Sequence, residues 1–313
     1  MKKLILGVAL TALMTTAACA ETVGVSMALF DDNFLTVLRN GIKADADKKG
    51  VTVQIEDAQN DVAKQLDQIK NFAASGVDAI IVNPVDTSAT QAMSDAAAAA
   101  GVPLVYVNRQ PINVDALPDK QAFVGSNEED SGTLETKEVC RLLKEAGKSE
   151  ANVYVLMGEL SNQAAVQRTK DIHNVMDSGE CGVKLTIIDE QTANWSRDQA
   201  QNLMTNWLST SRPFDAVISN NDEMAIGAIQ AMKAGGVDMK EVIVGGVDAT
   251  QDALAAMQAG DLDVTVFQNA AAQGAGALDA ALTLAKGESV EKKVYVPFEL
   301  VTPSNINDYM KKN

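Results

Sequence analysis

Histidine occurs once in these 313 residues, at His173, and cysteine only three times. A Ser-His-Asp hydrolytic set would need that single imidazole at a reactive site. It lies instead on a helical run between Ile172 and Asn174 and reads as a structural or solvated residue. Other chemistry-bearing patterns are missing too. No G-x-G-x-x-G follows the first strand-like run, no G-x-x-x-x-G-K-[ST] occurs, and there is no Asp-x-Asp-x-Asp-Gly loop. Gly274 and Gly276 share a helix-like run without a third glycine at the required spacing. Cations are scarce: 26 Lys and Arg face 42 Asp and Glu, a net charge of −16. Nothing therefore supplies the cationic stripe that a nucleic-acid partner needs. Aromatics are 4% of a chain that is 46% hydrophobic, the balance of an Ala/Val/Ile-rich α/β protein.

What is present begins with an address. Lys2 and Lys3 precede an apolar run from Leu4 to Leu13, and Ala18-Cys19-Ala20 is a small-x-small cleavage site. The run is too short to span a bilayer, and no later stretch approaches that length. Residues 1–20 read as a signal peptide cleaved after Ala20, which sends the protein to the periplasm. The rival is a lipoprotein acylated at Cys19, against which Thr16 stands where a lipobox carries Leu. Export permits disulfides. Cys140 lies on the helical run Glu135 to Glu145, and Cys181 follows the run Ala164 to Met176. Both helices would flank the strand Val153 to Met157 on one sheet face. The pair is either a structural disulfide or two free thiols.

Strand-like and helix-like runs alternate along the rest of the chain. Thr22–Leu29, Val51–Asp57, Ala79–Asn83, Leu104–Asn108 and Phe123–Ser126 form a first β series. Asn152–Met157, Val183–Asp189, Ala216–Asn220, Val242–Val247 and Val264–Gln268 form a second, and Val294–Val301 is a last strand. The run Gly76 to Asn83 has a near twin in Pro213 to Asn220, one in each half. The expected fold is α/β: two doubly wound parallel-sheet lobes. No Pro- or Gly-rich linker separates the series, so three structured crossings should form a hinge. Gly125–Asp130, Asp248–Gln251 and Val296–Glu299 are the candidates. The partition is 21–126 plus 269–297 for the first lobe and 127–268 plus 298–313 for the second.

The carboxyl edges of parallel strands are where ligands bind, and polar side chains gather there. Asp32 and Phe34 follow the first strand, Asn83 ends the third, and Asn108 and Arg109 end the fourth. Ser126 and Asn127 end the fifth. Asn162, Trp195, Asn221, Asp222, Asp248 and Gln268 occupy the same places in the second series. Each alone is an ordinary turn or N-cap residue. Together they describe a cleft between the lobes. Carboxylates, amides and the guanidinium groups of Arg109 and Arg168 suit hydroxyls. The flat faces of Phe34 and Trp195 suit the C–H faces of a saturated ring. Trp207, within a helical pattern, reads as core.

At these residues the chain resembles the type I periplasmic sugar-binding proteins of the ribose and galactose/glucose kind. The likeness is carried by Val105 to Gln110, Asn220 to Ala225, Gly245 to Asp248 and Phe30 to Phe34. It is nearest to the inositol- and rhizopine-binding members through 27–40, 158–165 and 246–269. The resemblance implies ligand roles for Asp32, Phe34, Asn83, Asn108, Arg109, Arg168, Trp195, Asn221, Asp248 and Gln268. There are departures from the better-known members. Ribose binders have an acid at Asn108 and a polar side chain at Ala28. Galactose binders have His and Asp at Asn162 and Ala164, Asn at Gln268, and a calcium loop absent here. The implied function is the substrate-binding component of an ATP-binding-cassette importer, closing its hinge over a cyclitol, either myo-inositol or a derivative such as a rhizopine. Galactose, glucose and ribose are alternatives, and a secreted carbohydrate enzyme using Asp32 and Asp248 as paired acids is the more distant one. The expected protein is a monomeric binder rather than an enzyme, with no cofactor or metal. Its partners would be an inner-membrane permease and, as a further option, a chemoreceptor.

Overall fold

A computed structural model describes residues 20–312. The signal peptide and the Cys19 alternative lie outside those residues. The first lobe begins with β1 (Thr22–Met27), α1 (Asn33–Lys49), β2 (Thr52–Asp57), α2 (Val62–Ser75), β3 (Ala79–Val82), α3 (Thr90–Ala100), β4 (Leu104–Val107) and β5 (Gln121–Gly125). The chain then enters the second lobe. There it runs through α4 (Glu128–Glu145), β6 (Glu150–Met157), α5 (Gln163–Ser178), β7 (Lys184–Thr192), α6 (Arg197–Ser209), β8 (Ala216–Ser219), α7 (Asp222–Ala234), β9 (Ile243–Gly245), α8 (Gln251–Ala259) and β10 (Thr265–Phe267). It returns to the first lobe for α9 (Ala270–Ala285) and β11 (Lys293–Tyr295), and crosses back to β12 (Glu299–Val301).

Strand composition explains strand placement. The apolar runs of β3 and β4 are buried at every residue, as strands covered on both faces must be. The polar strand β2 alternates between exposed and half-buried residues and takes the sheet edge. Among the described residues, the first sheet is ordered β11-β5-β4-β3-β1-β2 and is parallel throughout. The second is ordered β7-β6-β8-β9, extended to β10 by bridges at Gly245–Val264 and Asp248–Phe267. Strand order therefore reverses beside the first strand of each lobe, at β1/β3 and at β6/β8. The twin runs of the sequence are β3 and β8, the third strand of each lobe, lying next to the first.

Each sheet carries apolar clusters on both faces, the doubly wound arrangement. The helix α9 packs on α1 across a small-residue contact. A Cβ on Gly41 would lie 2.9 Å from the Ala271 backbone, and one on Gly274 2.8 Å from the Leu38 carbonyl. Glycine is what lets the returning helix seat this closely.

Two expectations are corrected. Asp248–Gln251 joins β9 to α8, whose buried Ala253, Leu254 and Met257 belong to the second-lobe core. The second crossing lies instead between Phe267 and Ala270. The expected strand Val294–Val301 is two strands, because Pro297 cannot donate to a ladder and the chain changes lobes there. β11 pairs with β5 in parallel, and β12 pairs with β10 antiparallel.

Cys140 on α4 and Cys181 after α5 are bonded within the core of the second lobe. They close a loop with a sequence separation of 41. Replacing both with serine should lower unfolding stability by about 2–4 kcal/mol. An unchanged urea midpoint in the double variant would show that the bond contributes nothing to folding.

Candidate functional site

Three of the helices that begin at the cleft are capped by residues that line it. Asp32 caps α1 by accepting from the Leu35 amide at 2.7 Å. Asn162 caps α5 through the Ala164 amide at 3.1 Å, and Asn221 caps α7 through the Met224 amide at 3.0 Å. Capping uses one side-chain oxygen and leaves a second polar atom for a ligand. The cap role of these residues thus leaves a polar atom of each at the cavity. The positive ends of the same helices also face the acidic groups of the cleft.

The first lobe adds Phe34, Asn108 and Arg109. Asn108 ends β4 with φ of 66°, and its amide is held from two sides. Asn83 Nδ2 donates to its Oδ1 at 3.2 Å, and its Nδ2 donates to Gln273 Oε1 at 3.2 Å. Gln273 in turn donates to Ser126 Oγ at 2.9 Å, tying Asn108 to the first crossing. Arg109 is buried, donates to the carbonyls of Pro84 and Val85, and lies 3.6 Å from Glu159 of the second lobe.

The second lobe contributes Arg168, Trp195, Asn221, Asp248 and Gln268. Arg168 stands in the second turn of α5, where the helix dipole opposes a cation. Glu128 holds it there, accepting from Nε at 2.7 Å and from Nη2 at 3.2 Å, while Nη1 donates to the Asn220 carbonyl at 2.6 Å. Trp195 occupies a left-handed conformation, φ of 61°, directly after Asn194 at 52°. Its indole lies on Gly158, where a Cβ would come within 2.2 Å of the ring. Trp207 is core: it stacks on Tyr154 at 4.3 Å and donates to Asp189.

Nine of the ten expected residues line one cavity: Asp32, Phe34, Asn108, Arg109, Arg168, Trp195, Asn221, Asp248 and Gln268. Asn83 does not. It is fully buried behind Asn108, accepts from the Ala28 amide at 3.4 Å, and acts on the cavity only through Asn108. Its echo Asn220 makes the matching bond to the Gly158 amide at 3.1 Å. Glu128, Leu35, Asn162 and Ala164 also line the space. Glu128 was missed because, at the head of Glu128-Glu129-Asp130, it resembles any acidic first turn. His173 lies elsewhere, half-exposed and paired with Glu190.

The space open to water centres is about 40 Å³. Adding one water radius all round gives a chamber roughly 7 Å across, the size of one six-membered ring with its hydroxyls. The lobes are closed over it. Asn33 donates to Glu223 at 2.8 Å, Asn60 to Glu159 at 3.2 Å, and the Thr87 amide to the Ser161 carbonyl at 3.1 Å. Burial raises the pKa of Asp248 well above the ordinary carboxylate range. Arg168 opposes that rise, while Asp222, Asp32 and Glu128 add to it. Burial also raises Asp32, against the Leu35 amide and the charge of Arg109.

A second acidic group sits beneath this floor. Glu135 on α4 is fully buried, with Oε1 accepting from the Ser219 amide at 3.1 Å. Burial pushes its pKa up to about 8, against that amide and Arg168. Because the folded value lies above the ordinary 4.5, the folded state holds the proton more tightly than the unfolded chain. Stability should therefore fall as pH rises from 4.5 to about 8. Glu135→Gln should reduce this fall, leaving the slopes from Asp171 and Asp222, raised to about 7 and about 6 by burial, and from Asp248, Asp32, Glu159 and Asp263, which burial also raises. Urea unfolding across that window measures the slope, and an identical slope in the variant would contradict the assignment.

The model of the periplasmic binding protein domain family matches residues 23–289. A Rhizobium meliloti protein provisionally assigned to rhizopine binding is 62% identical over 100% of both chains. A Bacillus halodurans solute-binding protein solved with bound myo-inositol is 40% identical, with a TM-score of 0.87 over 96% of this chain and 100% of that one. A Caulobacter myo-inositol-binding protein, also solved with myo-inositol, is 29% identical, with a TM-score of 0.83 over 93% and 95%.

Proposed function

The chain belongs to the periplasmic binding protein family, and on that premise we propose that it captures a cyclitol for an ATP-binding-cassette importer. The observation that carries this reading is the single-ring chamber lined by polar groups from both lobes. Asp32, Asn108 and Arg109 on one side, and Arg168, Asn221, Asp248 and Gln268 on the other, can engage hydroxyls around the whole rim of a ring. Phe34 and Trp195 supply apolar faces for the ring itself. The buried Nε1 of Trp195 has no hydrogen-bond partner among the described residues, and a ligand oxygen would satisfy it. Myo-inositol and an amino-cyclitol such as a rhizopine both meet this description. The similarity to a rhizopine-assigned protein and to two proteins holding myo-inositol supports the same class.

The work of the site is binding, not catalysis. A ligand bridging the two walls binds the closed form better than the open one and shifts the population toward closure. Only that difference in affinity moves the hinge. The lobe partition 21–126 plus 269–297 against 127–268 plus 298–313 is the division we propose for this motion. The closed pair of lobes would present its surface to a membrane permease and, in a sensing role, to a chemoreceptor. We further propose a monomer in the periplasm, released by cleavage after Ala20.

Calorimetry with myo-inositol, scyllo-inosamine, ribose, galactose and glucose tests the ligand class. One of the first two should bind best and change Trp195 fluorescence. Silence toward both cyclitols at millimolar concentration, or preference for a hexose or pentose, would remove the cyclitol reading. Trp195→Ala should weaken binding by about 1 kcal/mol or more, whereas Trp207→Ala should lower stability by about 3 kcal/mol and spare affinity. Equal binding loss in two well-folded variants would contradict this division of roles.

A further inference from the structure

A second chamber lies in front of the first. Asp32, Arg109 and Trp195 line both, so these three side chains stand between the two spaces. The inner space is about 40 Å³ and the outer about 500 Å³. It draws walls from both lobes, Leu29, Asn33 and Asn60 on one side and Asn194, Asp198 and Gln199 on the other. Closure does not squeeze it out. The lips meet at its sides, through Asn33–Glu223 and Asn60–Glu159, and leave the space between them open. A protein closing over a bare ring alone would gain by bringing these walls together above it.

The chemistry of the walls identifies what fits. Asn33, Asn60, Asn194 and Gln199 offer amides, and the carboxylate of Asp198 has no hydrogen-bond or ion-pair partner among the described residues. Leu29 and the edge of Trp195 add limited apolar surface. The Trp195 wall is held in place, since Asn194 accepts from Thr192 Oγ1 at 3.0 Å and donates to Gln199 at 2.8 Å. Such a chamber suits a second hydroxyl-rich ring, and Arg109, which lines both spaces, has donors to offer a bridging oxygen.

We propose that the outer chamber is a second subsite, and that the protein accepts cyclitols carrying an O-linked sugar. This inference rests on the cyclitol reading of the inner chamber. Calorimetry with myo-inositol and with galactinol, its α-galactoside, separates the two. Galactinol should bind within about twentyfold of myo-inositol. Asp198→Trp, which fills the outer chamber from the exposed first turn of α6, should weaken galactinol at least tenfold and change myo-inositol less than twofold. Binding of myo-inositol with galactinol weaker than that limit overturns the subsite alone. So does an equal effect of Asp198→Trp on both ligands in a variant with unchanged thermal unfolding. Binding of neither ligand by the unaltered protein overturns the cyclitol reading, and the subsite falls with it.

Discussion

An asparagine amide reaching across the reversal of strand order holds each half of the cleft in place. The chains leaving the first and third strands must diverge there, and that divergence opens the crevice. Asn83 and Asn220 sit at this point in the two lobes. Their backbone amides donate to Ser26 and Leu156, both at 2.9 Å, and their side-chain oxygens accept from the amides of Ala28 and Gly158. This bond sets where the loop to Asp32 and Phe34 departs, and where the loop to Asn162 and Arg168 departs. The twin runs of sequence are the signature of that repeated bond. They mark the frame of the site rather than its surface.

From that frame the lobes diverge in what they add. In the first, the remaining amide hydrogens of Asn83 bond to Asn108 and to the Val107 carbonyl. Asn108 is then gripped by Gln273, which sits just past the second crossing and bonds to Ser126 at the first. A cavity-lining amide is thereby connected to two of the three crossings between the lobes. In the second lobe the Asn220 carbonyl accepts from Arg168, whose charge is balanced by Glu128. Breaking such a buried pair leaves an uncompensated charge and is strongly unfavourable. The guanidinium is consequently in position before any ligand arrives, and little ordering remains to oppose binding.

Much of this was legible in the sequence. Alternating β-branched and amphipathic runs marked the two sheets, and polar residues at strand ends marked Asp32, Asn108, Arg109, Asn162, Asn221, Asp248 and Gln268. The flat rings of Phe34 and Trp195 and the guanidinium of Arg168 add three more cavity-lining side chains. What escaped depends on pairing between distant segments. Asp248–Gln251 carries every local mark of a crossing, a strand end followed by polar residues and a cap at Thr250, yet the chain stays in its lobe. The true crossing after Phe267 carries the same marks, polar Gln268 and the α9 cap Asn269, so only the pairing of β10 with β12 and the packing of α9 on α1 tell the two apart. Asn83 was placed in the site because a strand-end amide looks the same in sequence whether it faces ligand or neighbour. Its fully buried mate Asn220 is the clue that it faces the neighbour.

The prevalence of Asn and Asp in the cleft follows from the same economy of placement. A helix starting at the cleft needs a side-chain oxygen for its first amides, and a hydroxylated ligand needs donors and acceptors at that edge. Asp32, Asn162 and Asn221 each cap a helix and leave a second polar atom at the cavity. Exchange of Asn for Asp at a cap preserves the helix at little cost and changes the group offered to the ligand from an amide to a carboxylate. Asn108 has no such freedom, because its amide must accept from Asn83 and donate to Gln273 at once. An acid there would face Gln273 Oε1 with no proton to give, unless that glutamine turned over and the Ser126 hydroxyl turned with it. Selectivity in this cleft is accordingly easiest to change at the caps and hardest to change at Asn108, where the side chain is bound to the hinge.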